Sequence, residues 1–129
     1  MIHVKPSELH ETWELIKEGL ELVRRRSKAD WMCEDIYMAL RNCTSTLHLA
    51  YDGDEYDGFV VLTETPDYDG LTLYIWAAYC PTEDAVTRYL PTIKEMARSI
   101  GAKRIRFASP RKGWAKRFKA ITTIYQEEV

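Results

Sequence analysis

Glu64 closes the apolar run FVVLTE with a carboxylate, and a carboxylate at a strand end can act as a general base towards an amine. The ordinary account is an exposed acid in an acidic region. His48 alternates with Thr46 and Ala50 in TLHLAY, the setting of a structural histidine rather than a catalytic one. Cys80 ends the longest apolar run, LTLYIWAAYC. A thiol nucleophile needs a base beside it. No sequence neighbour supplies one, so a small buried thiol is expected. Cys33, Cys43 and Cys80 are scattered, with no CxxC and no paired histidines, so no zinc or other metal site is expected. An odd count suggests free thiols in a reducing compartment, the cytoplasm.

Charge is unevenly spread. Residues 103–119, KRIRFASPRKGWAKRFK, hold eight basic residues and no acidic one, although the net charge is −2. Residues 52–69 hold seven acidic residues and no basic one. Arg111, Lys112, Lys116, Arg117 and Lys119, with Trp114 among them, are candidates for binding a partner: an acidic protein surface or nucleic acid phosphate. The alternative is a solvated helix face with Trp114 and Phe118, four apart, turned inward. Head-to-tail pairing of the acidic and basic regions would give a homo-oligomer.

These side chains need a scaffold, and 129 residues suffice for one domain with one core, spanning 1–129. No apolar run approaches the ~20 residues of a membrane span, and MIHVKPSELH does not read as a signal peptide. IHV is a short strand that Pro6 ends. Ser7 is the expected cap of a helix over 8–25, with Trp13, Ile16, Leu20 and Val23 at helical spacing. Arg24-Arg25-Arg26 suits the negative end of its dipole. Asp30 is the expected cap of a second helix over 31–42. TLHLAY, FVVLTE and LTLYIWAAY read as a three-stranded antiparallel meander, joined by DGDEYDG and TPDYDG. The third strand is apolar on both faces, with Leu71, Leu73, Ile75 and Ala77 on one and Tyr74, Trp76 and Ala78 on the other. It should be central and covered on both sides.

The next helix carries Val86, Tyr89, Leu90, Ile93, Met96, Ala97 and Ile100 as one buried stripe. Pro91 predicts a kink or break near Leu90, and Gly101 suits the position just past the end. KRIRFAS is a strand, GWAKRFKAI a last short helix and TTIYQEEV a closing strand. The order β-α-α-β-β-β-α-β-α-β describes an α/β protein with helices covering a mixed sheet on both faces.

This order, at this length, resembles the GCN5-related N-acetyltransferase (GNAT) fold. EDIYMALRNCTSTLHLAYDGDEYDGFVVL looks like that family's second helix, strand, hairpin and strand, and LPTIKEMARSIGAKRIRF is similar to its long central helix and following strand. RKGWAKRFKAI resembles a segment of small GNAT-like proteins encoded by phages and prophages. The resemblance implies a mixed, mostly antiparallel sheet of six or seven strands, with acetyl-CoA as the cofactor of working members. For a phage-encoded chain it also implies the host cytoplasm or the virion as the location.

In working members the loop before the central helix reads Arg/Gln-x-x-Gly-x-Gly/Ala, and its backbone N–H groups close around the cofactor pyrophosphate. Counted back from Gly101, that loop falls on Pro81-Thr82-Glu83-Asp84-Ala85-Val86. Pro81 has no N–H to donate, both glycines are missing, and Glu83 and Asp84 would face the anion. Thr82 can cap the helix. Tyr79 and Cys80, at the strand end before the loop, are the residues the resemblance leaves for cofactor contact. The family's general-acid tyrosine, in Ala-x-x-φ-Tyr…Gly-Phe, is replaced by Lys119, with Thr123 and Ile124 in place of Gly-Phe. Tyr125 lies near in sequence and is a candidate acid, with Glu64 a candidate base beside the implied cleft.

Three functions are compatible with these residues. The first is a GNAT-like domain with a degenerate acetyl-CoA loop and no cofactor, serving as an accessory, assembly or protein-interaction module, its partner another phage protein. The second is an active acetyl-CoA-dependent N-acyltransferase with an atypical loop. The third is a nucleic-acid-binding module working through residues 103–119.

Overall fold

A computed structural model describes residues 1–122 and 125–128. Strand β1 (Ile2–Val4) leads through a 3₁₀ turn (Pro6–Glu8) into helix α1 (Leu9–Arg26). Next in the chain come helix α2 (Cys33–Arg41), strands β2 (Thr46–Asp52), β3 (Glu55–Asp67) and β4 (Gly70–Tyr79), helix α3 (Ala85–Ser99) and strand β5 (Ala102–Phe107). A second 3₁₀ turn spans Lys112–Lys116. The sheet order is β1-β2-β3-β4-β5, antiparallel from β1 to β4, with β5 parallel to β4.

The α/β class and the mixed, mostly antiparallel sheet are those expected, but the sheet has five strands rather than six or seven. The difference lies at the C-terminus. Of GWAKRFKAI only Gly113–Lys116 is helical, as part of the 3₁₀ turn, and no α-helix forms there. Residues 125–128 of the expected closing strand are irregular, whereas Thr123, Ile124 and Val129 lie outside the described residues. No helix among the described residues is long and apolar enough to cross a membrane.

The helix starts also differ, each time because a carboxylate three residues away takes the N–H in a charge-assisted bond. Glu8 rather than Ser7 closes the first turn, accepting the Lys5 N–H at 3.0 Å. Asp35 accepts the Met32 N–H at 2.8 Å, so α2 starts at Cys33 and not after Asp30. Asp84 rather than Thr82 caps α3, accepting the Thr87 N–H at 3.1 Å. Pro91 does not break α3. It sits on the exposed face, where water can serve the carbonyl that its missing N–H leaves.

One core lies between the sheet and α1/α2, built on Ile16, Leu20, Ile36, Leu47, Phe59 and Val61. The other lies between the sheet and α3, built on Val60, Leu62, Leu73, Ile75, Tyr89 and Ile93. Two bulges decide which residues reach which core. In β4, Ile75 faces Leu62 and Ala77 faces Val61, so Trp76 is an extra residue. An extra residue reverses side-chain parity. Leu73 and Ile75 therefore face α3 while Ala77 joins the α1 side, correcting the single face expected for them. In β3, Tyr56 faces Tyr51 and Gly58 faces Ala50, so Asp57 is the extra residue. The second Asp-Gly of DGDEYDG is thus a bulge inside a strand, and only the first, with Gly53 at φ +63°, makes the turn.

Candidate functional site

Strand β5 accompanies β4 only from the Leu71–Ala102 pair to the Ile75–Phe107 pair. The pairing stops where the Trp76 bulge begins. Beyond it, Trp76–Tyr79 has no strand partner on that edge among the described residues. This open edge runs into Cys80–Asp84 and the N-terminus of α3.

Tyr79 turns its ring away from the edge. It stacks on Phe59 with centroids 5.8 Å apart and lies against α1 at Gly19. A Cβ on Gly19 would come within 2.7 Å of the Tyr79 ring, so α1 can approach only as glycine there. Cys80 is buried on the α3 side, as expected of it. Its burial raises the thiol pKa, but the Thr82 hydroxyl, 3.5 Å from the sulfur, and the neighbouring backbone dipoles of Thr82 and Glu83 outweigh that, and the net shift is downward. The sulfur thus sits beneath the loop, beside Thr82.

The α3 N-terminus is likewise occupied by the chain itself. One Asp84 oxygen accepts the Thr87 N–H, and the other pairs with Arg111 at 2.7 Å. Arg117 donates to the Thr87 hydroxyl at 2.8 Å. Glu83 lies 3.7 Å from Arg88, which binds Asp57 at 2.6 Å. The Asp57 bulge also frees its carbonyl, which accepts the Tyr89 hydroxyl at 2.7 Å. That same packing makes Gly58 indispensable: a Cβ there would lie 2.0 Å from the Tyr79 carbonyl oxygen.

Residues 109–118 fold over this region. Trp114, Phe118 and Phe107 pack edge to face, as the inward-facing account of Trp114 and Phe118 requires. Arg111 and Arg117 lie 5.0 and 5.7 Å from the Trp114 ring centroid. Two of the candidate partner-binding cations are therefore held within the chain. Lys112, Lys116 and Lys119 are exposed and pair with no carboxylate among the described residues.

Glu64 is not at a strand end, since β3 continues to Asp67. It stands opposite Leu73 on the α3 face and lines a cavity with His48, whereas the open edge of β4 begins at Trp76. Tyr125 is 88% exposed. No hydrogen bond among the described residues joins Glu64, Tyr125 and Cys80 into one constellation.

The residues that sequence reasoning missed are Asp57, Arg88 and Tyr89. Arg88 and Asp57 are 31 positions apart, so no local pattern announces the pair. The one legible hint was Asp57-Gly58, whose glycine adopts φ +136°.

These features test the fit of a pyrophosphate to the loop. Pro81 offers no N–H, that of Thr87 is taken by Asp84, and the carboxylates of Glu83 and Asp84 flank the position. The loop thus lacks the glycines that the resemblance implies for a pyrophosphate.

No protein-family model and no curated protein matches the sequence. Solved structures do. A probable acetyltransferase matches at 18% identity over 98% of each chain, with a TM-score of 0.67. The ribosomal-protein-alanine N-acetyltransferase of Brucella melitensis biovar Abortus 2308 matches at 14% identity, covering 98% of this chain and 94% of that one, with a TM-score of 0.63. A predicted acetyltransferase with acetyl-CoA from Clostridium acetobutylicum matches at 16% identity over 98% and 93%, with a TM-score of 0.62. At such identities the likeness is one of architecture, and with its mixed sheet and helices on both faces this chain has the GCN5-related N-acetyltransferase fold.

Proposed function

We propose that this domain works as an accessory, assembly or protein-interaction module rather than as an acetyl-CoA-dependent enzyme. The observation that carries this reading is the α3 N-terminus, where Asp84 caps Thr87 and pairs with Arg111. An anion gains about 0.3–1 kcal/mol from a helix N-terminus, and ~2 kcal/mol in favourable sites. Repulsion between unit charges about 5 Å apart, at an effective dielectric of about 20, is ~3 kcal/mol. A phosphate that drew Arg111 away would leave Asp84 bare, and the repulsion would exceed the gain. For the partner we propose an acidic protein surface meeting Lys112, Lys116 and Lys119. The likeness of RKGWAKRFKAI to phage-encoded segments makes another phage protein the first choice.

A second reading, an active N-acyltransferase with an atypical loop, draws support from the open edge at Trp76–Tyr79 and from Arg111 and Arg117 beside α3. Calorimetric titration of acetyl-CoA separates the two. No heat at millimolar ligand is expected, and saturable micromolar binding would overturn the first reading. The variant Pro81→Arg/Asp84→Gly/Val86→Ala restores the loop pattern and should bind more tightly than the parent.

A further inference from the structure

A cavity of about 460 Å³ lies under the second half of α3, within the size range of small-ligand pockets. Leu62 and Leu73 form its floor, Met96 and Ile100 its apolar wall, and His48 and Glu64 its polar side. It is separate from the open edge of β4, because Glu64 stands opposite Leu73 where β4 and β5 are still paired.

The charge of this lining is one-sided. Glu64 brings its only formal charge, and no cation among the described residues lies within ion-pair distance of that carboxylate. Arg104 and Arg106, on the next strand but one, are taken up by Asp67 and Asp69. His48 adds no charge near neutral pH: burial, then His3 and the N-terminal amine, push its pKa down to about 4. Its ring is fixed by Thr46, 2.9 Å from Nε2, and by stacking on His3 at 5.1 Å. The cavity therefore offers a lone carboxylate, a fixed neutral imidazole and an apolar floor.

We propose that this cavity binds a small organic cation, a primary ammonium on an apolar body, with the ammonium on Glu64 and the body against Leu62, Leu73 and Met96. An anion is repelled by the same carboxylate, and a neutral analogue leaves it unpaired. The site does not depend on whether the domain binds acetyl-CoA.

The test is an NMR titration of the ¹⁵N-labelled full chain with phenethylammonium, 2-phenylethanol and phenylacetate at fixed pH and salt. Saturable shifts at Leu62, Leu73 and Ser99 are expected with the amine and none with phenylacetate. Glu64→Gln, at an exposed position that tolerates exchange, should weaken the amine by about two- to fivefold. Ser99→Trp, which fills the cavity from the exposed side of α3, should block it without touching the charge. Absent or non-saturating shifts, equal response to all three probes, or unchanged binding in Glu64→Gln would each overturn the proposal.

Discussion

Replacing Asp84 removes two contacts whose contributions can be separated. One carboxylate oxygen caps α3 through the Thr87 N–H, and the other pairs with Arg111. Loss of an N-cap costs typically about 1 kcal/mol. The ion pair is worth less: the Arg111 side chain is 69% exposed and that of Asp84 26%, the regime of about 0.2–1 kcal/mol. Asp84→Ala should therefore cost about 1.5 kcal/mol, and Asp84→Asn, which still caps, about 0.5 kcal/mol. For a domain of this size 1.5 kcal/mol is a drop of about 5 °C in Tm. Arg111→Ala loses the pair and its contact with Trp114. Combined with Asp84→Asn, it should show a coupling of about 0.5 kcal/mol that shrinks in molar salt. Urea denaturation followed by tryptophan fluorescence reads all four variants. If Asp84→Asn proves as costly as Asp84→Ala, the cap is not the source. If Asp84→Ala is neutral, the α3 N-terminus does not satisfy itself, and the case against an anion there fails with it.

Gly58→Ala should destabilise by more than about 3 kcal/mol, because the new Cβ meets the Tyr79 carbonyl rather than a mobile side chain, at a φ of +136°. An unchanged urea midpoint would contradict the close approach of β3 and β4 at the bulge. The depressed His48 pKa predicts a pH dependence of definite sign. Below its ordinary 6.5 the unfolded chain takes up a proton that the folded chain refuses down to about 4. Stability should therefore fall as pH drops through that window, and His48→Gln should flatten the fall; an equally steep profile in the variant would count against a buried neutral ring.

The helices and strands are legible in the sequence because their apolar periods are long and regular: the stripe of α3 and the double-faced run of β4 each admit one interpretation. Side-chain faces within β4 are not. Alternation counts residues, and a bulge adds one without any signal in LTLYIWAAY, so Ala77 moves to the opposite core. Asp84 reads from sequence as a repelling charge at a helix start, which is its place, and its residue type also suits the cap that it forms. By residue type Asp is at least as good a cap as Thr, so the choice between Thr82 and Asp84 turns on where the helix begins, which is two residues further on than a Thr82 cap requires. The pairs that close the site, Arg88 with Asp57 and Arg111 with Asp84, join segments that only the folded sheet brings together. Where the sequence departs from the loop pattern that the resemblance implies, the departure is visible at once. That the missing glycines go together with an inward-turned Cys80 is not.

The charge asymmetry of the chain acquires a different meaning once the sheet is formed. Asp67, at the end of β3, and Asp69, in the β3–β4 turn, hold Arg104 and Arg106 of β5, and Asp57 and Asp84 hold Arg88 and Arg111. Opposite charges far apart in sequence thus neutralise each other within one molecule. Within residues 52–69 and 103–119, the groups outside these pairs are Asp52, Asp54, Glu55 and Glu64 on the acidic side and Lys103, Lys112, Lys116, Arg117 and Lys119 on the basic side, with Arg117 turned to Thr87 and Trp114 and Lys112, Lys116 and Lys119 grouped at the surface. The arginine heads, whose planar forks suit phosphate, are the ones spent internally. Lysines act as point charges, and a duplex meeting only these three would show a log K against log salt slope of about −3, far below that of a dedicated nucleic-acid binder. A carboxylate-bearing protein surface needs no fork and can use the side of Trp114 as well. This charge pattern supports the proposed acidic protein partner over nucleic acid, and any head-to-tail contact between copies would rest on the acidic turn meeting Lys112, Lys116 and Lys119.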